Sequence, residues 1–280
     1  MTLGLSDLDE LSIKKLGFAG SNGHYVAATY SASNKLTAFI YDFESGQVKE
    51  LNDGRIQTLL SYVIPHGTGF ALVNKVGGTL FLISPQGAFL ERQFWNQYVG
   101  WQNDYKLLHL VPKDGQALAT LRDKQGYLLL AELDISKQSV AVLYRIKEQD
   151  PELGHMWVTA GAHLYLAGVQ TGRIDRLNPD TFQKLKTLKT AGDPWAKKKW
   201  TRSGKYAWLL SQPVVVGDSI YFRYLRYRDK FGDPLAERQV LTLVISPKGI
   251  QEQKTLVLGS WQGKTLNYDW HDSIVTVTAP

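Results

Sequence analysis

Leu107-Leu108-His109-Leu110-Val111, then the turn Lys113-Asp114-Gly115, then an apolar run closing at Leu121, decides how this chain is read. Two short apolar runs flank residues that tolerate unusual backbone angles, which is the pattern of a β-hairpin. A second hairpin type follows at once. Leu128 to Leu143, around Asp134-Ile135-Ser136-Lys137, is an apolar strand, a polar turn and an amphipathic strand. With the strands lettered A and B in the first hairpin, C and D in the second, residues 107–143 form one four-stranded unit.

The unit recurs along the chain, and internal repeats of this size mark solenoids and propellers. Further A–B hairpins are Leu16 to Tyr30 around Ser21-Asn22-Gly23, Ser61 to Asn74 around Pro65-His66-Gly67, and Met156 to Val169 around Ala160-Gly161-Ala162. Two more are Pro213 to Tyr224 around Gly217-Asp218-Ser219, and Leu266 to Ala279 around His271-Asp272-Ser273. Further C–D hairpins are Ala38 to Val48, Leu80 to Phe89, Ile174 to Leu188 around Asn178-Pro179-Asp180, and Leu241 to Leu256 around Ser246-Pro247-Lys248-Gly249. The A–B hairpins exceed the C–D hairpins by one. Leu3 to Ile13 has the missing C–D pattern, an apolar strand, an acidic turn and an amphipathic strand.

Open strand edges are a liability that a closed ring removes. The expected fold is therefore all-β: a six-bladed β-propeller, four antiparallel strands per blade, one domain over residues 1–280. Its N-terminal C–D strands are expected to join the C-terminal A–B strands. The apolar strands ending in Asp, Asn or Ser before a Pro/Gly turn resemble the outer hairpins of bacterial propellers of the YVTN, quinoprotein-like and TolB-like groups. That resemblance implies the architecture and transfers no functional residue.

The expected binding face carries the D–A and B–C connections, because loops from every blade converge there. The D–A connectors are rich in tryptophan: Trp95 and Trp101, then Trp157, then Trp195 and Trp200, then Trp261. Indoles supply large contact areas to sugars, bases or partner side chains. They also fill gaps between blades. From Lys184 to Lys230 there are twelve Lys or Arg and three acids, a local charge of +9 in a chain of net charge +6. Lys197, Lys198, Lys199, Arg202 and Lys205 lie in it beside Trp195 and Trp200. Cations interleaved with aromatics suit an anionic ligand, although many charge runs are only solvated surface. The expected partner is an acidic protein surface or an anionic glycan. Nucleic acid is disfavoured by the modest net charge.

No motif for a nucleotide, a nucleophilic serine or a zinc protease occurs. His66, His109, Asp269 and His271 are the candidates for the channel wall, and the alternative function is a propeller hydrolase or lyase acting there on a carbohydrate or lactone. The inner strands are nearly free of carboxylates, so no metal and no cofactor is expected. There is no cysteine and no run long enough for a membrane helix. A monomer is expected. The compartment is cytoplasmic if the chain is full-length and exported if it is a mature form, the missing cysteine tilting towards export.

Overall fold

A computed structural model describes residues 2–3, 16–32, 35–51, 53–56, 60–113, 116–147, 155–169, 173–188, 205–209, 213–228, 238–272 and 274–279. The chain is a six-bladed all-β propeller of four-stranded antiparallel blades.

Thr2–Leu3 (β1) precedes the first blade, which is Leu16–Ser21 (β2), Tyr25–Ala32 (β3), Lys35–Asp42 (β4) and Val48–Leu51 (β5). Blade 2 is Tyr62–His66 (β6), Gly69–Asn74 (β7), Thr79–Ile83 (β8) and Phe89–Phe94 (β9). Blade 3 is Lys106–Lys113 (β10), Gln116–Arg122 (β11), Tyr127–Asp134 (β12) and Ser139–Lys147 (β13). Blade 4 is His155–Ala160 (β14), His163–Gly168 (β15), Ile174–Leu177 (β16) and Lys184–Leu188 (β17). Blade 5 is Lys205–Leu209 (β18), Val214–Val216 (β19), Ser219–Arg228 (β20), Arg238–Ser246 (β21) and Gly249–Gln253 (β22). Its inner strand is broken in two, β18 and β19 both pairing with β20. Blade 6 is Thr255–Trp261 (β23), Lys264–Asp269 (β24) and Val275–Thr278 (β25), three strands among the described residues. No helix among the described residues is long and apolar enough to cross a membrane.

Two expectations are corrected here. Leu3 does not join the last blade: Thr2 and Leu3 pair antiparallel with Lys49 and Val48, on the outer edge of blade 1. Residues 4–13 of the expected hairpin lie outside the described residues. The hairpin Leu266 to Ala279 is also B–C rather than A–B. The inner strand of blade 6 is β23, which turns tightly into β24 through Gln262 and Gly263, both at positive φ (46° and 80°). Such paired left-handed residues form the two-residue turn whose twist matches a hairpin. Trp261-Gln262-Gly263 therefore belongs to a hairpin and not to a connector, and the last blade is shifted by one strand.

Both faces of each blade are buried against neighbours, so strands such as β8 are buried at all five residues, four of them apolar and the fifth Thr79. Inner strands β2, β10 and β23 each carry a register shift against strand B. A bulge bends a strand and leaves backbone groups without ladder partners. Thr29 Oγ1 takes the amide of Phe18 at 2.8 Å in the first of them.

Candidate functional site

The end of the ring carrying the D–A and B–C connections holds two cations in unusual settings. Lys75 follows β7 in the B–C turn of blade 2. Its Nζ donates to the carbonyl of Leu108, the bulged residue of β10, at 2.7 Å. Tyr62 OH donates to the same oxygen at 2.8 Å. Burial, then the neighbouring charge of Lys106, push the Lys75 pKa down. His109 follows on β10. Burial, then Lys75, push its pKa down to about 4, so it is neutral at neutral pH.

Arg223 projects from β20 of blade 5 towards blades 6 and 1. Its Nη1 donates to the carbonyl of Leu16 at 3.4 Å, and its guanidinium carbon lies 4.8 Å from the centre of the Trp270 ring. The Trp270 indole is held by its own hydrogen bond to Thr242 Oγ1 at 2.9 Å. The buried Arg223 Nε makes no hydrogen bond. Burial lowers the Arg223 pKa, opposed by Tyr268. Among the described residues neither Lys75 nor Arg223 has a carboxylate partner.

At the opposite end, the A–B turns of five blades surround an axial pocket of about 380 Å³, with Asn22, Pro65, Lys113, Thr159 and Val215 on its wall. It continues into a groove of about 330 Å³ between blades 3 and 4, the two sharing Lys113, Thr159 and Gly161. Sequence reading placed the binding face at the other end and missed both. The signal available was weak, since any A–B turn rich in Gly and Pro reads as a plain hairpin.

The structure scatters the expected site residues. Trp95 is 5% exposed and Trp157 0%, so neither presents a ring to a ligand. Trp95 opens a short 3-10 turn, Trp95–Gln97, that wedges between blades 2 and 3 with Tyr98. Trp101 is half-buried against the same cluster, 6.3 Å from Trp95 between ring centres. Trp157 sits on β14, an inner strand, rather than in a connector. Trp261 is half-buried and stacks on His24 across the boundary of blades 6 and 1, with ring centres 4.5 Å apart. His24 Nε2 in turn lies 3.3 Å from Glu44 and 3.6 Å from Asp42. Lys205 begins β18; Trp195, Lys197, Lys198, Lys199, Trp200 and Arg202 lie outside the described residues.

The four channel candidates do not converge. His66 ends β6 beside the axial pocket, its buried Nδ1 without a hydrogen bond. His109 lies along β10 of the next blade. Asp269 and His271 are displaced to the B–C turn of blade 6 by the one-strand shift of that blade. There Asp269 Oδ1 accepts the amides of His271 (2.7 Å) and Asp272 (3.2 Å), an ordinary Asx turn. His271 is exposed and pairs with Asp272 at 2.7 Å. That bond raises the His271 pKa. Among the described residues no three His, Cys, Asp or Glu cluster as metal ligands would.

No family model matches the sequence, and no curated protein matches it. Solved β-propellers do. A member of the DUF4221 family from Bacteroides vulgatus is 9% identical with a TM-score of 0.52, over 100% of this chain and 97% of that one. A structural-genomics protein of unknown function from Bacteroides thetaiotaomicron is 11% identical with a TM-score of 0.50, over 95% of this chain and 70% of that one. Virginiamycin B lyase from Staphylococcus aureus is 12% identical with a TM-score of 0.49, over 100% and 99%. At these identities the likeness is one of fold.

Proposed function

We propose that the chain, as one domain over residues 1–280, is a non-enzymatic binding propeller for an anionic ligand, an acidic protein surface or an acidic glycan. Its site is the end carrying the D–A and B–C connections. The observation behind this reading is the pair of half-buried cations, Lys75 and Arg223, which have no carboxylate partner among the described residues. Taking a charge out of water is costly unless an opposite charge compensates it. The Leu108 carbonyl at Lys75, and the Leu16 carbonyl with the Trp270 ring at Arg223, compensate only in part, and an anion at this end would complete the pairing. By sequence, Lys197, Lys198, Lys199, Arg202 and Lys205 precede and open blade 5 and would add positive charge to the attraction, and Trp101 would add stacking.

The hydrolase or lyase alternative needs acid and base groups within reach of one substrate. His66 and His109 stand on blades 2 and 3, and Asp269 and His271 together on blade 6 in its B–C turn, away from the end that holds His66, which favours the binding reading.

The test is calorimetric titration with alginate, with a polyglutamate peptide and with a neutral glucan, each at low and high salt. Binding of an anionic probe should weaken with salt, and about tenfold in Arg223→Gln, Lys75→Gln or the Lys197→Ala/Lys198→Ala/Lys199→Ala triple variant. Equal binding of the neutral glucan, or no anionic binding at all, refutes the proposal.

A further inference from the structure

Every boundary between blades must be filled, and two neighbouring boundaries are filled differently. Between blades 2 and 3 the chain supplies its own plug. Residues 95–105 leave β9 and dip between the sheets. Trp95 and Tyr98 share one buried cluster with Leu80 and Leu82 of one blade and with Leu129, Leu133, Ile135 and Val140 of the other. Tyr98 OH bonds to buried Gln93. Val99 then bridges in parallel to the start of the outer strand β13: its amide donates to Gln138 O, and the Val140 amide donates to Val99 O, both at 2.8 Å.

Between blades 3 and 4 a groove at the A–B end is open. Its floor is Leu118, Leu130 and Leu164, with Leu143 and Phe182 at its rim. Two local distortions shape that rim. A register shift between Leu130 and Ala131 leaves Leu143 as an extra residue on β13, 43% exposed; bulges of this kind re-aim a side chain. Phe182 holds a left-handed backbone, φ 58°, where the matching turn of blade 1 has Gly46 at 68°. The turns correspond bond for bond: Gly46 N donates to Asp42 O, and Phe182 N to Asn178 O. A bulky residue in that conformation is strained, and such strain persists where the surroundings use it. Here the Phe182 ring stacks flat on Tyr144 across the boundary, 4.3 Å between centres at 10°. Outside the groove runs β17, the edge strand of blade 4, where Lys184, Leu185 and Lys186 are all exposed. Among the described residues the nearby charges are a pair, Lys113 with Glu132, exposed Asp180, and Arg176, whose Nη2 lies 3.0 Å from Nδ1 of groove-lining His163.

We infer that the groove between blades 3 and 4 is a docking site for an acidic peptide segment with an aromatic anchor. The molecule shows on itself what fits such a space: an aromatic residue between the leucines of two blades, followed by backbone that pairs with an outer strand. At blade 4 the corresponding strand is lysine-lined, so the complementary segment carries Asp or Glu around its anchor. Strand edges and apolar grooves are recurrent sites of peptide capture, with aromatic anchors carrying most of the affinity. This inference rests on the anionic-partner reading and assigns that partner a second contact at the other end of the ring.

The experiment measures fluorescence anisotropy of three labelled peptides on the intact protein: one tryptophan flanked by glutamates, alanine in place of that tryptophan, and one tryptophan flanked by lysines. The first should bind. The alanine peptide and the lysine peptide should each bind about tenfold more weakly. Leu143→Glu should weaken the first peptide about tenfold, and Lys184→Glu with Lys186→Glu should abolish its salt dependence. Leu143 and the lysines are exposed, so these variants keep the fold, and near-ultraviolet circular dichroism checks that they do. Leu185→Glu, at a residue 58% exposed, gives an independent probe of the same strand. Equal binding of the tryptophan and alanine peptides, or no effect of Leu143→Glu, overturns the groove assignment. If acidic peptides bind but respond only to Lys75→Gln or Arg223→Gln, the groove inference fails and the anionic-ligand reading stands. If neither these peptides nor alginate binds, both fail.

Discussion

Blades 2 and 3 meet across a wedge of the chain's own aromatics, whereas blades 3 and 4 meet across a stacked pair and an open groove. The sheets on the two sides are built alike, with leucine-rich strands such as β12 facing both ways. Between blades 2 and 3 the D–A link folds back between the sheets and closes the gap with Trp95 and Tyr98. Between blades 3 and 4 part of the apolar surface stays exposed, as at Leu143. Blade packing alone therefore does not decide whether a boundary is core or surface.

The sharpest way to break this contrast is to remove the wedge. Trp95→Ala should cost about 3–5 kcal/mol, the usual price of emptying a buried tryptophan site, and Leu143→Ala under about 1 kcal/mol. Urea midpoints of the two variants test it; equal losses would mean that the wedge is not the filler it looks to be. Gly100→Ala attacks the same wedge through the backbone. Gly100 has φ 85°, and a Cβ there would collide with the carbonyl oxygen of Val140. A loss of roughly 2–4 kcal/mol is expected by the same assay.

The inner side of blade 3, common to both boundaries, gives a pH test. His109 is neutral down to about pH 4 in the fold, against an ordinary value of 6.5 in the unfolded chain. Between those values the unfolded state binds more protons. Stability should therefore fall as pH drops from about 6.5 to about 4, by roughly 2–3 kcal/mol in all, with no contribution above that window. His109→Gln should flatten that limb of a stability profile measured by urea unfolding, and an unchanged limb would clear His109 of the role.

The smallest effect sharpens the groove side. Phe182→Ala keeps a left-handed non-glycine residue and loses the stack on Tyr144, while Phe182→Gly loses the stack but relieves the strain. The glycine variant should be more stable than the alanine variant by about 1 kcal/mol, read from thermal unfolding. Equal stability would show that the turn carries no backbone strain.

Much of the ring was legible in advance because strands and turns are local. The hairpins around Ser21-Asn22-Gly23 and Asn178-Pro179-Asp180 fall where turn chemistry placed them. The last blade was misphased because Gln262-Gly263 carries no proline or acidic residue and sits beside a tryptophan, so it read as one more aromatic connector. That slip carried Asp269 and His271 to the wrong strand. The tryptophans were ambiguous for a deeper reason. An indole in a connector looks the same whether it faces solvent or folds back as a wedge.

From its order of residues alone, this protein determined most of its strands and turns and the number of blades, because a period of two and a left-handed turn residue act over a few positions. Only the tertiary structure decided which tryptophans are core, where Lys75 and Arg223 meet the bulged inner strands, and which boundary stays open. Those outcomes depend on burial by residues distant in the chain. Arg223 meets Leu16 across 207 positions of sequence, and no local pattern encodes that contact.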